Sequence, residues 1–465
     1  MKFGGTSVED APAFANVAEI IRERRASRPV VVVSAMSRMT DALLASVRQA
    51  WDRDVRAAIL SLEYQFGRHN EVVSGLLTTE AGPMTVLVEN VRREIGELLR
   101  SVATRPALCL PLQDAIVSSG ERLSAAVLAA VLRQAGVAAR EVDARRCILT
   151  DENHCCATPL IKETFLKTRE QLQQLIGDSV IPVLGGFIGS TVGGETTTLG
   201  RGGSDYTAAL VGAALSAREV QIWTDVSGVL TASPHVEGNA RTIPRLSYAE
   251  AAELAYFGAK VLHPKTIQPA VEGGIPIRIC NSRSPTSPAT LVGAERETAP
   301  QTVKAIAHKT GITTLQITSA RMLGAYGFLR ALFEIFDRHR TAVDVVTTSE
   351  VSVSLSLDDA GNLPSIIEEL ERLGSVRVEQ DQAIVCVVGE GLRSTPGIAA
   401  RIFSTISDIN VSLISQGASR INLTFAIDEE RVAEAVTRLH EEFFGDLKVK
   451  GRMSKVMAPG AQVAG

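Results

Sequence analysis

The sequence predicts an α/β fold, a mostly parallel sheet with helices on both faces, followed by two smaller units related to each other. Three observations carry this. Short apolar runs alternate with helical stretches up to about residue 295. Strands alternating with helices argue for a sheet covered on both faces. The alternation ends in the Thr-Ala-Pro-Gln stretch at 298–301, and beyond it one layout occurs twice, about seventy residues apart.

In order, Pro12–Arg25 carries Phe14, Val17, Ile20 and Ile21 at helical spacing, and the run VVVVS at 30–34 reads as a buried strand. With a strand near the start they make a βαβ unit. Ser119–Gln134 reads as helix, Ser179–Gly189 as strand, Asp205–Ala217 as helix, and Val220–Thr224 and Ile275–Cys280 as strands. In the second region Gly324–His339 is an amphipathic helix, followed by AVDVVTTS and VSVSLSL as strands. The pattern returns as GIAARIFSTIS, NVSLISQGAS and INLTFAI, so each unit is βαββαβ in outline, spanning 312–382 and 383–450. A short strand at 303–308 is expected to complete the second unit, threading the first inside it. The tail at 452–465 has no pattern and is expected to be disordered.

Composition narrows the function. The chain has 48 basic and 52 acidic residues, a balance that displays no basic face for nucleic acid. No apolar stretch is read as approaching the roughly 18 residues needed to cross a bilayer, and no signal-peptide core stands at the N-terminus. A soluble, cytoplasmic protein is therefore expected. The six cysteines form no CxxC pair and suit reduced thiols. His154-Cys155-Cys156 looks metal-like but is read as ordinary burial, because zinc ligands are normally separated by turns.

Two glycine loops carry the chemistry. KFGGTS at 2–7 is neither a Walker loop nor GxGxxG. Glycines there would still let backbone approach an anion beside the positive end of a helix, with Lys2 adding a full charge. A plain strand-to-helix turn is the alternative. In GRGGSD at 200–205, Arg201 offers a planar fork for a carboxylate, while Ser204 and Asp205 stand where a helix begins. Helix capping alone would also explain Ser204 and Asp205.

KFGGTSV at 2–8, SSGERLSA at 118–125, GFIGS at 186–190, TTLGRGGSDYTAA at 197–209, WTDVSGVL at 223–230 and FGAKVLHP at 257–264 together resemble the aspartokinase family. The resemblance implies an amino-acid-kinase αβα sandwich over residues 1–295 and two ferredoxin-like ACT domains. It implies ATP-dependent phosphorylation of the L-aspartate β-carboxylate, with Mg2+, at the entry to lysine, threonine and methionine synthesis. By it, Lys2, Gly4, Gly5 and Ser7 would contact the migrating phosphoryl group, with Lys260 as a second phosphate lysine. Arg201 would take the aspartate α-carboxylate, Glu121 and Asp205 its ammonium, Ser204 would lie beside it, and Thr40 would touch the reacting end. Thr224, Asp225 and Lys260 would hold nucleotide. Without the resemblance, Glu121 reads as a solvated helix-start acid and Lys260 as a surface charge.

A substrate carboxylate with pKa near 3.9 is already ionised at neutral pH, so the reaction needs no general base. It needs compensation of converging anions, which lysines, helix N-termini and Mg2+ supply. Three departures from the family pattern stand out. Only Met1 precedes Lys2, so either the true start lies upstream or the central first strand is clipped. Leu230, Ser233 and His235 replace a tyrosine, an aspartate and an arginine, and Arg38 stands at a usual glycine position.

RMLGAYGFL and VDVVTTSEV resemble effector-binding segments of lysine-sensitive family members. Met322, Phe328, Leu329, Asp344, Ser349, Glu350 and Val351 match that pattern, with Ala325 replacing a serine. Asp344 would meet the effector ammonium, or else is a strand-end turn acid. The likeness to plant-type members that respond jointly to lysine and S-adenosylmethionine leaves the effector open. A homodimer through the ACT domains is expected. An amino-acid sensor with a weakened kinase domain is the reading from a different class, and a kinase for another amino-acid carboxylate fits less well.

Overall fold

The structure is a computed structural model, and it describes residues 1–258, 262, 264–294, 302–324, 326–358 and 361–445. Lys260, Ala325 and the tail at 452–465 lie outside the described residues. The chain divides into two compact units. The first comprises Met1–Val229, Thr242–Ala255 and described residues up to 294; the second comprises Leu230–Arg241, residues 256–258 and those from 302 onward.

The first unit begins with β1 (Lys2–Phe3), α1 (Ala11–Glu23), β2 (Val31–Val33), α2 (Met39–Trp51), α3 (Val55–Ser61), α4 (Glu63–Leu76), α5 (Ala81–Ala103), α6 (Leu110–Val117) and α7 (Ser119–Gln134). It continues with β3 (Ala139–Val142), β4 (Leu149–Thr150), α8 (Ile161–Gly177), β5 (Ile181–Gly185), β6 (Ile188–Thr191), β7 (Thr196–Thr198), α9 (Gly203–Ala214) and β8 (Val220–Thr224). β9 (Arg245–Ser247), α10 (Tyr248–Tyr256, whose last residue belongs to the second unit), α11 (Pro264–Glu272), β10 (Ile277–Asn281) and β11 (Thr290–Gly293) follow.

The main sheet runs β3-β5-β2-β1-β8-β10-β11-β9, parallel from β3 through β10. β4-β6-β7 form a small second sheet. The stretch read as one strand at 179–189 is thus two, because the chain leaves the main sheet after Gly185 and joins the small one at Ile188. Although only two residues long, β1 is central: Lys2 and Phe3 pair with Val32 and Val33 on one side and with Ile222 and Trp223 on the other. Phe3 stacks on Trp223 with centroids 5.8 Å apart. The chain winds outward from β1 in both directions, so β1 and β8 mark the switch point, where ligands of such sheets collect at the strands' carboxyl ends.

Local signals explain the helices that place the site. Asp10 caps α1 by accepting from the Ala13 amide at 2.9 Å, and its apolar stripe of Phe14, Val17, Ile20 and Ile21 is buried. Residues 110–134, covering α6 and α7, are long and apolar enough to cross a membrane, which corrects the sequence reading. The most apolar stretch of that run is 89% buried inside the unit, as expected of a core helix.

The second unit holds β12 (Ala305–Thr318), α12 (Phe328–Arg338), β13 (Val346–Thr348), β14 (Ser352–Leu357), α13 (Leu363–Leu370), β15 (Ser375–Val388), α14 (Ile398–Thr405), β16 (Leu413–Gln416), β17 (Asn422–Asp428) and α15 (Val432–Phe444). They form one antiparallel sheet, β13-β14-β12-β15-β17-β16. The strand at 303–308 and the one starting at Thr313 are a single strand with register shifts between Lys309 and Thr314. Its first half pairs with the far end of β15, Ala305 opposite Val388, and its second half pairs with β14, Thr313 opposite Leu357. Two cores result, one around Leu315, Leu332, Phe336 and Leu355 and the other around Ile306, Ile402, Phe425 and Leu439. Helix α12 starts at Phe328 rather than Gly324, because Gly327 sits at φ +81° just before it.

Candidate active site

A pocket of about 570 Å³ opens beyond the carboxyl ends of β1, β2 and β5. Among its lining residues are Lys2, Gly5, Arg38, Thr40, Glu121, Arg201, Ser204 and Asp205. The chain reaches it from several directions. β1 delivers Lys2 and the turn after it Gly5, the first turn of α2 delivers Thr40, and the first turn of α7 delivers Glu121. The loop from β7 into α9 delivers Arg201, and the first turn of α9 delivers Ser204 and Asp205.

Lys2 points inward. Its Nζ lies 2.7 Å from Asp205 Oδ1, and the two side chains are only 12% and 14% exposed. Helix α9 starts after Gly202, at φ +74°, and no side chain caps it. Ser204 and Asp205 therefore stand inside the first turn and are not its caps. Gly186 makes room for that turn, since a Cβ there would lie 2.7 Å from Ser204 Cβ.

Glu121 is not a solvated acid. It is 3% exposed, its Oε2 has no hydrogen-bond partner, and burial pushes its pKa up to about 8. A buried carboxylate with an unsatisfied oxygen at a pocket wall is a site for a cation. Arg201 is exposed at the rim. The pocket thus has Lys2 at its floor, a buried acid on one wall and a guanidinium at the mouth. That is a charge pattern for a small zwitterion carrying a further acid.

Other sequence-stated residues lie elsewhere. Gly4, Ser7, Thr224 and Asp225 do not line this pocket. Ser7 is buried, its Oγ 2.7 Å from Ser282 Oγ, and the Gly4 amide donates to Trp223 O at 3.0 Å. Thr224 ends β8, its hydroxyl donating to Asp225 Oδ1 at 3.1 Å, and its carbonyl accepts from the Ser282 amide at 2.7 Å. Ser282, joining Ser7 to the end of β8, was not singled out from sequence; it sits in the polar run NSRSPTS, whose only signal was turn chemistry. Asp114 and Phe187 also line the pocket unannounced. Cys155 lines it too, but burial and the Asp114 carboxylate push its thiol up to about 12, which leaves it an inert wall.

The segment with Leu230, Ser233 and His235 belongs to the second unit. There Ala232 joins the core around Ile306, and Thr231 O accepts from the Ile306 amide at 2.8 Å. Among the effector-pattern residues, Met322, Phe328 and Asp344 are half-buried, while Leu329, Ser349, Glu350 and Val351 are exposed. The Tyr256 hydroxyl donates to Asp344.

Comparison with known proteins fits this arrangement. Residues 1–281 match the model of the amino acid kinase family and residues 385–443 that of an ACT domain. The lysine-sensitive aspartokinase 3 of Escherichia coli is 37% identical over 461 residues, covering 95% of this chain and 98% of that protein. The chain belongs to the aspartokinase family. Its relatives include the chloroplastic aspartokinase 2 of Arabidopsis thaliana, 36% identical over 464 residues, covering 96% of this chain and 84% of that one. The crystal structure of E. coli aspartokinase III with aspartate and ADP aligns at a TM-score of 0.82, with 35% identity, over 95% of this chain and 99% of that one. The same enzyme with lysine and aspartate aligns at 0.80, with 36% identity, over 95% and 98%. The amino-acid-kinase and ACT architecture expected of the family is the one present.

Proposed function

We propose that this chain is an aspartate kinase that transfers the γ-phosphoryl group of ATP to the β-carboxylate of L-aspartate. One carboxylate oxygen forms the new P–O bond, the bond from the γ-phosphorus to the bridging oxygen breaks, and the products are 4-phospho-L-aspartate and ADP. The inward Lys2, 2.7 Å from Asp205 and in one pocket with Glu121 and Arg201, is the observation that carries this reading.

Arg201 takes the α-carboxylate in bidentate fashion and Glu121 takes the ammonium, leaving the β-carboxylate toward Lys2. Asp205 holds Lys2 in place and adds negative charge beside the ammonium. Thr40 and Ser204 flank the substrate. Gly4, Gly5 and Ser7 bring backbone toward the migrating group, and Thr224, Asp225 and Lys260 serve the nucleotide. Lys2 neutralises charge where attacking and transferring groups meet, which is most of what a phosphoryl-transfer site must do. Mg2+, bound together with the nucleotide, would supply further charge compensation at the phosphates beside Lys2.

We read residues 1–295 as the catalytic domain, with 230–241 and 256–258 packing in the second unit, and 312–382 and 383–450 as two ACT domains, the second completed by the start of β12. Amino-acid feedback acts through them, with lysine as the effector. Exposed Leu329 and Phe333, one turn apart on α12, offer apolar surface for a second copy of the chain. We read the enzyme as a cytoplasmic homodimer.

A hydroxamate assay with ATP, Mg2+, aspartate and hydroxylamine tests the activity. Aspartate-dependent hydroxamate supports it. Lysine binding without turnover would mean an amino-acid sensor instead.

A further inference from the structure

Asp114, on α6, is a charged residue of the pocket wall that has no part in the chemistry above. It is 1% exposed, and its carboxylate gathers donors from two other segments. His154 Nδ1 lies 2.8 Å from Oδ2, the Cys155 amide donates to the same oxygen at 2.9 Å, and the Thr198 hydroxyl donates to Oδ1 at 2.5 Å. With its oxygens so engaged, and carrying negative charge, Asp114 is poorly suited to hold either substrate anion.

What it does hold is the backbone leading to Arg201. Thr198 ends β7, and Leu199-Gly200-Arg201-Gly202 is the stretch between that strand and α9. The Thr198 carbonyl accepts from the Ala157 amide at 2.9 Å, tying β7 to the turn that carries His154 and Cys155. Gly200, at φ +74°, leans on the same turn: a Cβ there would lie 3.4 Å from Cys155 O and 3.5 Å from Cys156 Sγ. The stretch leading into Arg201 is therefore tied to one buried carboxylate, directly through Thr198 and through the 154–156 turn on which Gly200 leans.

We propose that Asp114 is the positioning residue for Arg201, fixing the loop so that its guanidinium faces the α-carboxylate of the amino-acid substrate. This rests on the reading that Arg201 binds that carboxylate. An exposed arginine has many rotamers, so its aim depends on the backbone beneath it, and hydrogen bonds to an ionised acceptor are the stronger kind for fixing backbone.

Steady-state kinetics of the full-length protein test the assignment. Asp114→Asn should raise the aspartate KM about tenfold while the ATP KM and kcat stay within about threefold, the signature of lost substrate binding. Thr198→Val should move the aspartate KM in the same direction, and Thr198→Ser, which keeps the hydroxyl, should restore it. In an Arg201→Ala background Asp114→Asn should add almost nothing, because the two act as one unit. Unchanged aspartate KM in both Asp114→Asn and Thr198→Val, a parallel rise in both KM values, or a full additional factor on top of Arg201→Ala would each overturn the proposal. If Arg201→Ala alone leaves the aspartate KM untouched, it is the parent reading of Arg201 that falls.

Discussion

Lys2 Nζ and Asp205 Oδ1 stand 2.7 Å apart, joining the first strand of the sheet to the first turn of a helix two hundred residues later. The pair closes the floor of the pocket. Replacing Lys2 by Met should lower kcat by about 100-fold or more, the usual scale for losing a preorganised charge at a reacting group. Thermal unfolding of the variant should stay near wild type, which would separate lost chemistry from lost fold; near-normal turnover would remove Lys2 from the mechanism.

Glu121 gives a pH dependence of definite sign. In the free protein its pKa is raised from 4.5 to about 8, so at neutral pH it carries a proton. A bound ammonium favours the carboxylate, so aspartate binding below about pH 8 should release one proton and tighten about tenfold per pH unit as the pH rises toward that value. Glu121→Gln should weaken binding and flatten this slope. For the unliganded fold the sign is opposite: the group's stabilising contribution is complete below 4.5 and gone above about 8. Calorimetric proton release measured in buffers of different ionisation enthalpy checks both.

Arg201→Ala should raise the aspartate KM far more than the ATP KM. Equal effects on both would mean that the substrate lies elsewhere.

Gly186→Ala should cost about 1–3 kcal/mol, as overpacking usually does. The added methyl would meet Ser204 Cβ at 2.7 Å and Cα at 2.8 Å, backbone that cannot swing aside. Denaturant unfolding measures the loss, and a raised aspartate KM should accompany it because the start of α9 carries the site.

Asp344 is engaged by the Tyr256 hydroxyl, and burial together with Asp358 raises its pKa. An effector ammonium bound there would compete with the phenol for this acid. Asp344→Ala should raise the lysine concentration for half-inhibition about tenfold, whereas Tyr256→Phe should lower it. Activity unaffected by millimolar lysine in the wild-type protein would exclude lysine as the effector.

The legible parts of the site were those with local signals. Glycine-rich loops beside Lys2 and Arg201 announced close backbone approach, and the helix beginning at Ser119 carried Glu121 in its first turn. What stayed hidden was burial. Glu121 read as a solvated acid because nothing in SSGERLSA shows that the turn faces a pocket. Asp114 was invisible for a similar reason: its partners, His154, Cys155 and Thr198, are 40, 41 and 84 residues away. The helical run at 110–134 escaped the membrane-length test because its few charged residues break the apolar reading, although its most apolar stretch passes.

By itself the sequence determined the alternation of strands and helices, the change of architecture after it, the repeat beyond and the two loops that gather charge, since these follow from hydrophobic period and turn chemistry along neighbouring residues. Only tertiary structure decided that Lys2 meets Asp205, that Glu121 is buried with its Oε2 unpartnered, that residues 230–241 pack with the second unit, and that β12 serves both halves of the regulatory sheet. Those outcomes depend on which distant backbones lie side by side, and strand pairing and burial set that jointly over the whole chain.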